Sequence, residues 1–356
     1  MKLNERTLYL HIGLPKTGTS ALQVFFARNA KELYRKGIRY PGVNERVGNE
    51  EMITSGNGAR VARSAFLPQQ GGGSDVMGIF ERAMRVGDRD VLISSEFFAG
   101  WEAERHNELK KFAGHFGFTV KIIVYLRDQA DIVVTHYFQN LKRRPGYVDI
   151  GGDNFGQFAR EYVEKQKYLD FNDLLEMLSG IYGKSNVRAR TTKRSAMVGG
   201  SLITDTLAAL GIEDGSGLNT EVSKINPTPN QQEMYIRALM GMFHPTVPTS
   251  DRYLKVVSQI HGALGNPKED ANFFIEPAVV EDIRAQFAET NAKTCEQWFQ
   301  GKSISEVFDR KTYGKKVKFD KESMNINTVI AVFGGMLVDV LGRLEKIENK
   351  ERGQAS

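Results

Sequence analysis

Apolar residues in the first half of the chain fall in short, uninterrupted runs separated by longer amphipathic stretches. Thr7–Ile12, Asp90–Ser95 and Val120–Leu126 are too short and too uniformly apolar for surface helices, so they read as buried strands. From Ser20 to Lys36 the apolar Leu22, Phe25, Phe26 and Leu33 recur at helical spacing, which predicts a helix. The segment Gly37–Gly42 reads as a second short strand closed by a turn. Residues 43–74 are glycine-rich and irregular, a long loop with one short helix near Ala59–Ala65. Further helices are expected over Val76–Val86, His106–Phe116, Ala130–Lys142, Phe155–Tyr168 and Phe171–Tyr182, and another from Gly200 to Leu210. Asn186–Thr191 adds one more strand, and helices and loops follow Gly215.

Strands alternating with helices imply an α/β fold with a doubly wound, mostly parallel sheet. Helices cover both faces of that sheet, and the C-terminal part is helical. Residues 1–215 are expected to form the core and 216–347 a helical extension or cap of the same domain, with 348–356 a polar tail. In such sheets ligands bind at the carboxyl ends of the strands. Gly13–Ser20, Ser94–Glu96 and Arg127 each follow a predicted strand, so one crevice can gather them.

Composition narrows the function classes. With 41% apolar and 26% charged residues, the 356-residue chain can bury a core and is not a disordered protein. The net charge of +5 suits an anionic ligand, but the basic residues form no long block, so nucleic acid is not expected as a partner. A single cysteine, Cys295, leaves no internal disulfide, and six scattered histidines offer no zinc spacing. No metal is expected. The first residues lack the apolar run of a signal peptide, and no apolar stretch is long enough to span a membrane, which points to the cytoplasm.

The segment from Leu8 to Phe26 is strand, glycine loop and helix, an arrangement that offers backbone N–H groups to an anion. A nucleotide-triphosphate loop reads G-x-x-x-x-G-K-[ST]. Gly13, Gly18 and Ser20 fit that spacing, but Thr19 stands where the lysine belongs and Lys16 lies inside the loop. A lysine three residues early suits a phosphate with a group leaving from it.

With Pro15, Lys16, Thr17, Gly18, Thr19 and Ser20 in this order, the loop resembles that of the PAPS-dependent sulfotransferases, most of all their bacterial branch. PAPS is 3′-phosphoadenosine 5′-phosphosulfate, and PAP is the product left when its sulfuryl group departs. The resemblance implies a P-loop-like fold, with the backbone and hydroxyls of Thr17, Gly18, Thr19 and Ser20 on the 5′-phosphate. It implies that Lys16 reaches the bridging oxygen and steadies charge on the leaving phosphate. It also implies that Arg127 at a strand end, with Thr135 eight residues later, binds the 3′-phosphate. The family usually carries serine where this chain has Thr135. A planar guanidinium matched to phosphate oxygens makes physical sense of that pair.

Sulfuryl transfer needs a base for the acceptor hydroxyl or amine. Glu96, directly after a strand, is the candidate catalytic base, and a capping or salt-bridging glutamate is the alternative. His11 and His136 are rivals, although His11 lies in a strand and reads as a core histidine. Ser95 is a further candidate for donor contact. Lys184–Arg194 carries five basic residues and no acid, readable as a ligand patch or as a solvated face. The following segment with Arg194 also resembles bacterial family members, while Asn57–Arg60 reads either as acceptor-pocket lining or as surface loop. The expected acceptor is a small molecule or a glycan, including a lipid-linked sugar. The segment from Ile326 to Glu348 suits a docking or homo-oligomer helix. A P-loop kinase or NTPase, and a non-catalytic PAP-binding module, are the competing readings.

Overall fold

The computed structural model describes residues 6–42, 56–64, 87–143, 154–221 and 275–313, with isolated positions at 81, 84–85, 333, 340 and 343–344. Most of the expected long loop, the helix expected over Val76–Val86, the segment 326–348 and the polar tail lie outside the described residues. The chain divides into two compact units. One comprises Met1–Thr135, Arg160–Pro227 and Glu281–Lys311, and the other His136–Ala159, Thr228–Val280 and Thr312–Ser356.

The first unit is built on five parallel strands, and the α/β expectation holds. They are β1 (Arg6–Ile12), β2 (Ile38–Arg39), β3 (Asp90–Ser95), β4 (Phe118–Leu126) and β5 (Val187–Thr191). Their order in the sheet is β2-β3-β1-β4-β5. The chain leaves β1 toward one side, builds β2 and β3 there, then crosses to β4 on the other side. The direction therefore switches between β1 and β4, which opens a crevice beyond their carboxyl ends. Register places His11 beside Ser94, and Ile12 beside both Ser95 and Val124.

The central strands are buried on both faces, which is why they read as runs and not as alternations. One face carries Tyr9, Leu92, Ile123 and Tyr125. Against it pack helix α1 (Thr19–Arg28), α2 (Ala30–Arg35) and, from far along the chain, α8 (Leu202–Leu210). Phe25 and Phe26 are fully buried there, each contributing about 2–3 kcal/mol of hydrophobic stabilisation. The opposite set, Leu8, Leu10, Ile12, Ile122 and Val124, is equally buried. Helices α4 (Ala103–His115) and α7 (Phe171–Tyr182) lie along β4. Helix α3 (Ala59–Ser64) precedes α4, and α5 (Gln129–Arg143) and α6 (Asn154–Lys165) lie between α4 and α7 in sequence. Helix α9 (Pro277–Gln286), α10 (Ala288–Trp298) and the single turn α11 (Ile304–Val307) follow later.

Two element boundaries differ from expectation for visible reasons. The helix expected from Ser20 to Lys36 breaks at Asn29, whose buried side chain donates to the Phe25 and Asn219 carbonyls, each at 2.9 Å. Asn219 N–H donates back to Asn29 Oδ1 at 2.7 Å, so a distant loop plugs into the break. The helix expected to run to Tyr168 stops at Lys165, and Lys167–Leu169 forms a 3-10 turn. In the second unit, Tyr137 stacks against Phe155 and Phe158, with centroids 5.3 and 5.4 Å apart.

Candidate functional site

The loop after β1 is closed almost entirely by its own atoms. Gly13 N–H still donates to the Ser95 carbonyl of β3 at 3.1 Å, so the pairing with β3 runs one residue beyond β1. Leu14 is buried, and its carbonyl collects Thr17 Oγ1 at 2.7 Å, Thr19 Oγ1 at 3.3 Å and Thr17 N–H at 3.4 Å. Gly13 has no room for a side chain, because an added Cβ would lie 2.4 Å from Thr19 Cγ2. Gly18 takes φ 87°, and a Cβ there would meet Leu202 of α8 at 2.4 Å. Lys16 also lies in the left-handed region, at φ 67°, a strain of about 1 kcal/mol or more for a residue with a side chain.

This geometry sorts the residues expected to hold a 5′-phosphate. Thr17 and Thr19 are buried, and their hydroxyl protons go to Leu14. They shape the loop from within. Ser20 is half-buried and its hydroxyl has no partner among the described residues. Gly18 stands at the N-cap of helix α1, which has no side-chain cap and no acid in its first turn. The first four N–H groups of a helix have no partner inside it. The backbone amides of Gly18, Thr19, Ser20 and Ala21 therefore point out of the helix start toward a site that favours an anion, with the half-buried Lys16 in the same loop.

Arg127 and Thr135 come to this loop from β4 and α5. Arg127 Nη1 donates to the Lys16 carbonyl at 2.7 Å, so the two motifs, 111 residues apart, are one structure. The bond also braces the strained Lys16. Arg127 Nη2 bonds Asp131 Oδ2 at 3.2 Å, and Thr135 Oγ1 donates to the Asp131 carbonyl at 2.6 Å. Residues 127, 131 and 135 thus share one side of the chain at four-residue spacing. Asp131 is a feature that the sequence reading did not weigh. Its carboxylate competes for the guanidinium that a phosphate would use.

Glu96 opens the 3-10 turn Glu96–Gly100 directly after β3 and is half-buried. Ser95 is fully buried and caps that turn, accepting from Phe97 N–H at 3.2 Å. Near Glu96 lie two tyrosines that sequence reasoning missed. Tyr162 and Tyr168 hydroxyls are 2.6 Å apart. Burial pushes the Tyr168 phenol up to about 12; the bond from Tyr162 opposes this and the Glu96 charge adds to it. Burial, then Tyr168, then Glu96 push Tyr162 up as well. Both stay protonated, and since one of their two protons is spent on the bond between them, one hydroxyl keeps a proton for a further acceptor. Tyr168 also lines an open cleft of about 680 Å³ with Trp101, Glu102, Lys167, Leu174 and Met177. Helices α4 and α7 begin at this cleft and run back along the sheet, which places it on the carboxyl-end side. No sequence spacing signals these tyrosines, because a helix end and a separate turn bring them together.

The remaining candidates fall into the scaffold. His11 is buried, bonds Ser94 Oγ through Nδ1 at 2.8 Å, and burial pushes its pKa down to about 4. It is a neutral core histidine. His136 sits half-buried one residue beyond Thr135. The Asn57 side-chain amide pairs with the β3 backbone, donating to the Leu92 carbonyl at 3.0 Å and accepting from Ser94 N–H at 2.8 Å. Of the basic segment, Arg190 is forked onto buried Asp205 at 2.8 and 2.9 Å, Lys193 bonds the Ser305 carbonyl, and Arg194 is exposed. The Asp128 carboxylate is taken by Arg284 and caps α5 through Asp131 N–H. Among the described residues no cluster of His, Cys, Asp or Glu could hold a metal ion, and no helix is long and apolar enough to cross a membrane.

The chain matches no family model and no curated protein. Among solved structures it is similar to a sulfotransferase from Alicyclobacillus acidocaldarius, at 13% identity and a TM-score of 0.44. That likeness covers 83% of this chain and 96% of the other.

Proposed function

We propose that the protein is a sulfotransferase that moves a sulfuryl group from PAPS to a hydroxyl or amine of an acceptor. The observation that carries this reading is the bond from Arg127 to the Lys16 carbonyl, which joins a 5′-phosphate loop to a second cation suited to a 3′-phosphate. In this reading the amides at the start of α1, with Ser20, hold the 5′-phosphate. Lys16 faces the bridging oxygen, and Arg127 with Thr135 receives the 3′-phosphate. The S–O bond to the phosphate breaks as the acceptor oxygen or nitrogen bonds to sulfur. Glu96 takes the acceptor proton, and Tyr168 orients the acceptor from the cleft.

The kinase reading is weakened by two side chains. Thr19, in the place of the usual lysine, is turned inward onto Leu14. Asp128, a strand-end acid that could hold magnesium, is committed to Arg284. A chain incubated with sulfur-labelled PAPS and hydroxylated or amino acceptors is expected to form a labelled ester or sulfamate together with PAP. Lys16→Ala and Glu96→Gln should each slow the label transfer by about 100-fold or more. Magnesium-dependent turnover of ATP with PAPS left untouched would refute the reading.

A further inference from the structure

The two residues after Arg127 are held by parts of the chain that lie more than 150 positions away. Asp128 receives Arg284 in a forked contact, with Nε 3.3 Å from both carboxylate oxygens and Nη2 3.3 Å from Oδ1. The same guanidinium donates to the Lys311 carbonyl at 2.9 Å and to Glu281 at 2.7 Å. Arg310 Nε lies 3.8 Å from Asp128 Oδ2. Gln129 and Asn291 exchange side-chain amide bonds at 2.8 and 3.0 Å, and Gln129 also donates to the Leu169 carbonyl at 3.1 Å. All of these groups belong to the unit that contains the sheet.

We infer that Arg284 and Asn291 are positioning residues for Arg127, making the segment 281–311 a clamp that sets affinity for the 3′-phosphate. The physical case is one of orientation. Arg127 ends β4, and its guanidinium must reach both the loop and a ligand. Its backbone direction is fixed by the residues that follow it. Asp128 and Gln129 are buried, so their partners act in a dry setting where a lost fork leaves a stranded polar group. Neither Arg284 nor Asn291 contacts the ligand site in this account. They act through residues 128 and 129 on Arg127. The inference rests on the PAPS reading of the site.

The test compares two probes, PAP and adenosine 5′-phosphate, which differ only in the 3′-phosphate. Arg284→Lys keeps the charge but loses the fork, and Asn291→Ala breaks the amide pair. By calorimetric titration each is expected to weaken PAP binding about tenfold and 5′-phosphate binding less than about twofold. In an Arg127→Ala background the same changes should have no further effect on PAP, because the group they position is gone. Wild-type protein that binds no PAP overturns the PAPS reading and the clamp together. Wild-type binding with equal weakening toward both probes, or full additivity with Arg127→Ala, overturns the clamp alone. Thermal melts of each variant identify any that fail to fold. The double replacement Arg284→Met with Asp128→Asn then replaces Arg284→Lys, with the same outcomes decisive.

Discussion

The loop after β1 and the strand end after β4 offer the same chemistry, cationic and N–H groups suited to an anion, but are built in opposite ways. The loop is local. Its turn closes on the Leu14 carbonyl through Thr17 and Thr19, within five residues. The strand end is assembled from afar, with Arg127 tied to Lys16, Asp128 to Arg284, and Gln129 to Leu169 and Asn291. A local device leaves its signature in a short string of residues. An assembled one leaves only an arginine after a strand, and its support is invisible until the chain has folded.

The largest expected effect breaks the loop's side of the comparison. Lys16→Ala should lower the single-turnover rate of sulfuryl transfer about 100- to 1000-fold, as loss of an oxyanion-type stabiliser does, with PAP affinity changed far less. An equal loss of rate and of PAP affinity would move Lys16 from the leaving group to simple binding.

Acid should strike the scaffold beneath the loop. Burial pushes both His11 and His106 down to about 4. Between that value and the ordinary value of about 6.5, the unfolded chain binds more protons than the folded one. Stability is therefore full above about pH 6.5 and falls as pH drops toward 4. The loss is about 2 kcal/mol per histidine at pH 5 relative to neutral pH. Urea denaturation at the two pH values measures it. His11→Gln should remove roughly half of the pH-dependent part, and an unchanged slope would show that His11 protonates freely in the fold.

The strand end should respond through selectivity. Arg127→Ala is expected to weaken PAP by about 2 kcal/mol, roughly 30-fold, while adenosine 5′-phosphate is nearly unaffected. Parallel loss toward both nucleotides would instead make Arg127 a brace for the loop. The smallest effect is a gain. Asp131→Asn removes a carboxylate 3.2 Å from Arg127, so PAP affinity should rise by about 0.5–1 kcal/mol. A drop would mean that the Asp131 charge orients Arg127 more than it repels phosphate.

Much of the fold was legible because uniform apolar runs mark strands buried on both faces, and β1, β3 and β4 are such strands. The loop was legible for the local reason given above. The break at Asn29 was not, since its partner Asn219 lies 190 residues away. The roles of Thr17 and Thr19 were hidden too. In the folded loop both hydroxyls bond the Leu14 carbonyl, a contact that no residue spacing signals. Tyr162 and Tyr168 carried no pattern, because only the turn after α6 brings their hydroxyls together. Asp128 follows β4 directly, and its burial against Arg284 depends on a helix far along the chain.

The central claim is that one crevice, built from these two unlike parts, holds a nucleotide bearing both a 5′- and a 3′-phosphate. Titrating the wild-type protein with PAP and, separately, with magnesium ATP tests it most directly. One PAP should bind per chain, more than about tenfold tighter than magnesium ATP, a difference of at least about 1.4 kcal/mol. Absence of PAP binding, or tighter binding of magnesium ATP, would contradict it.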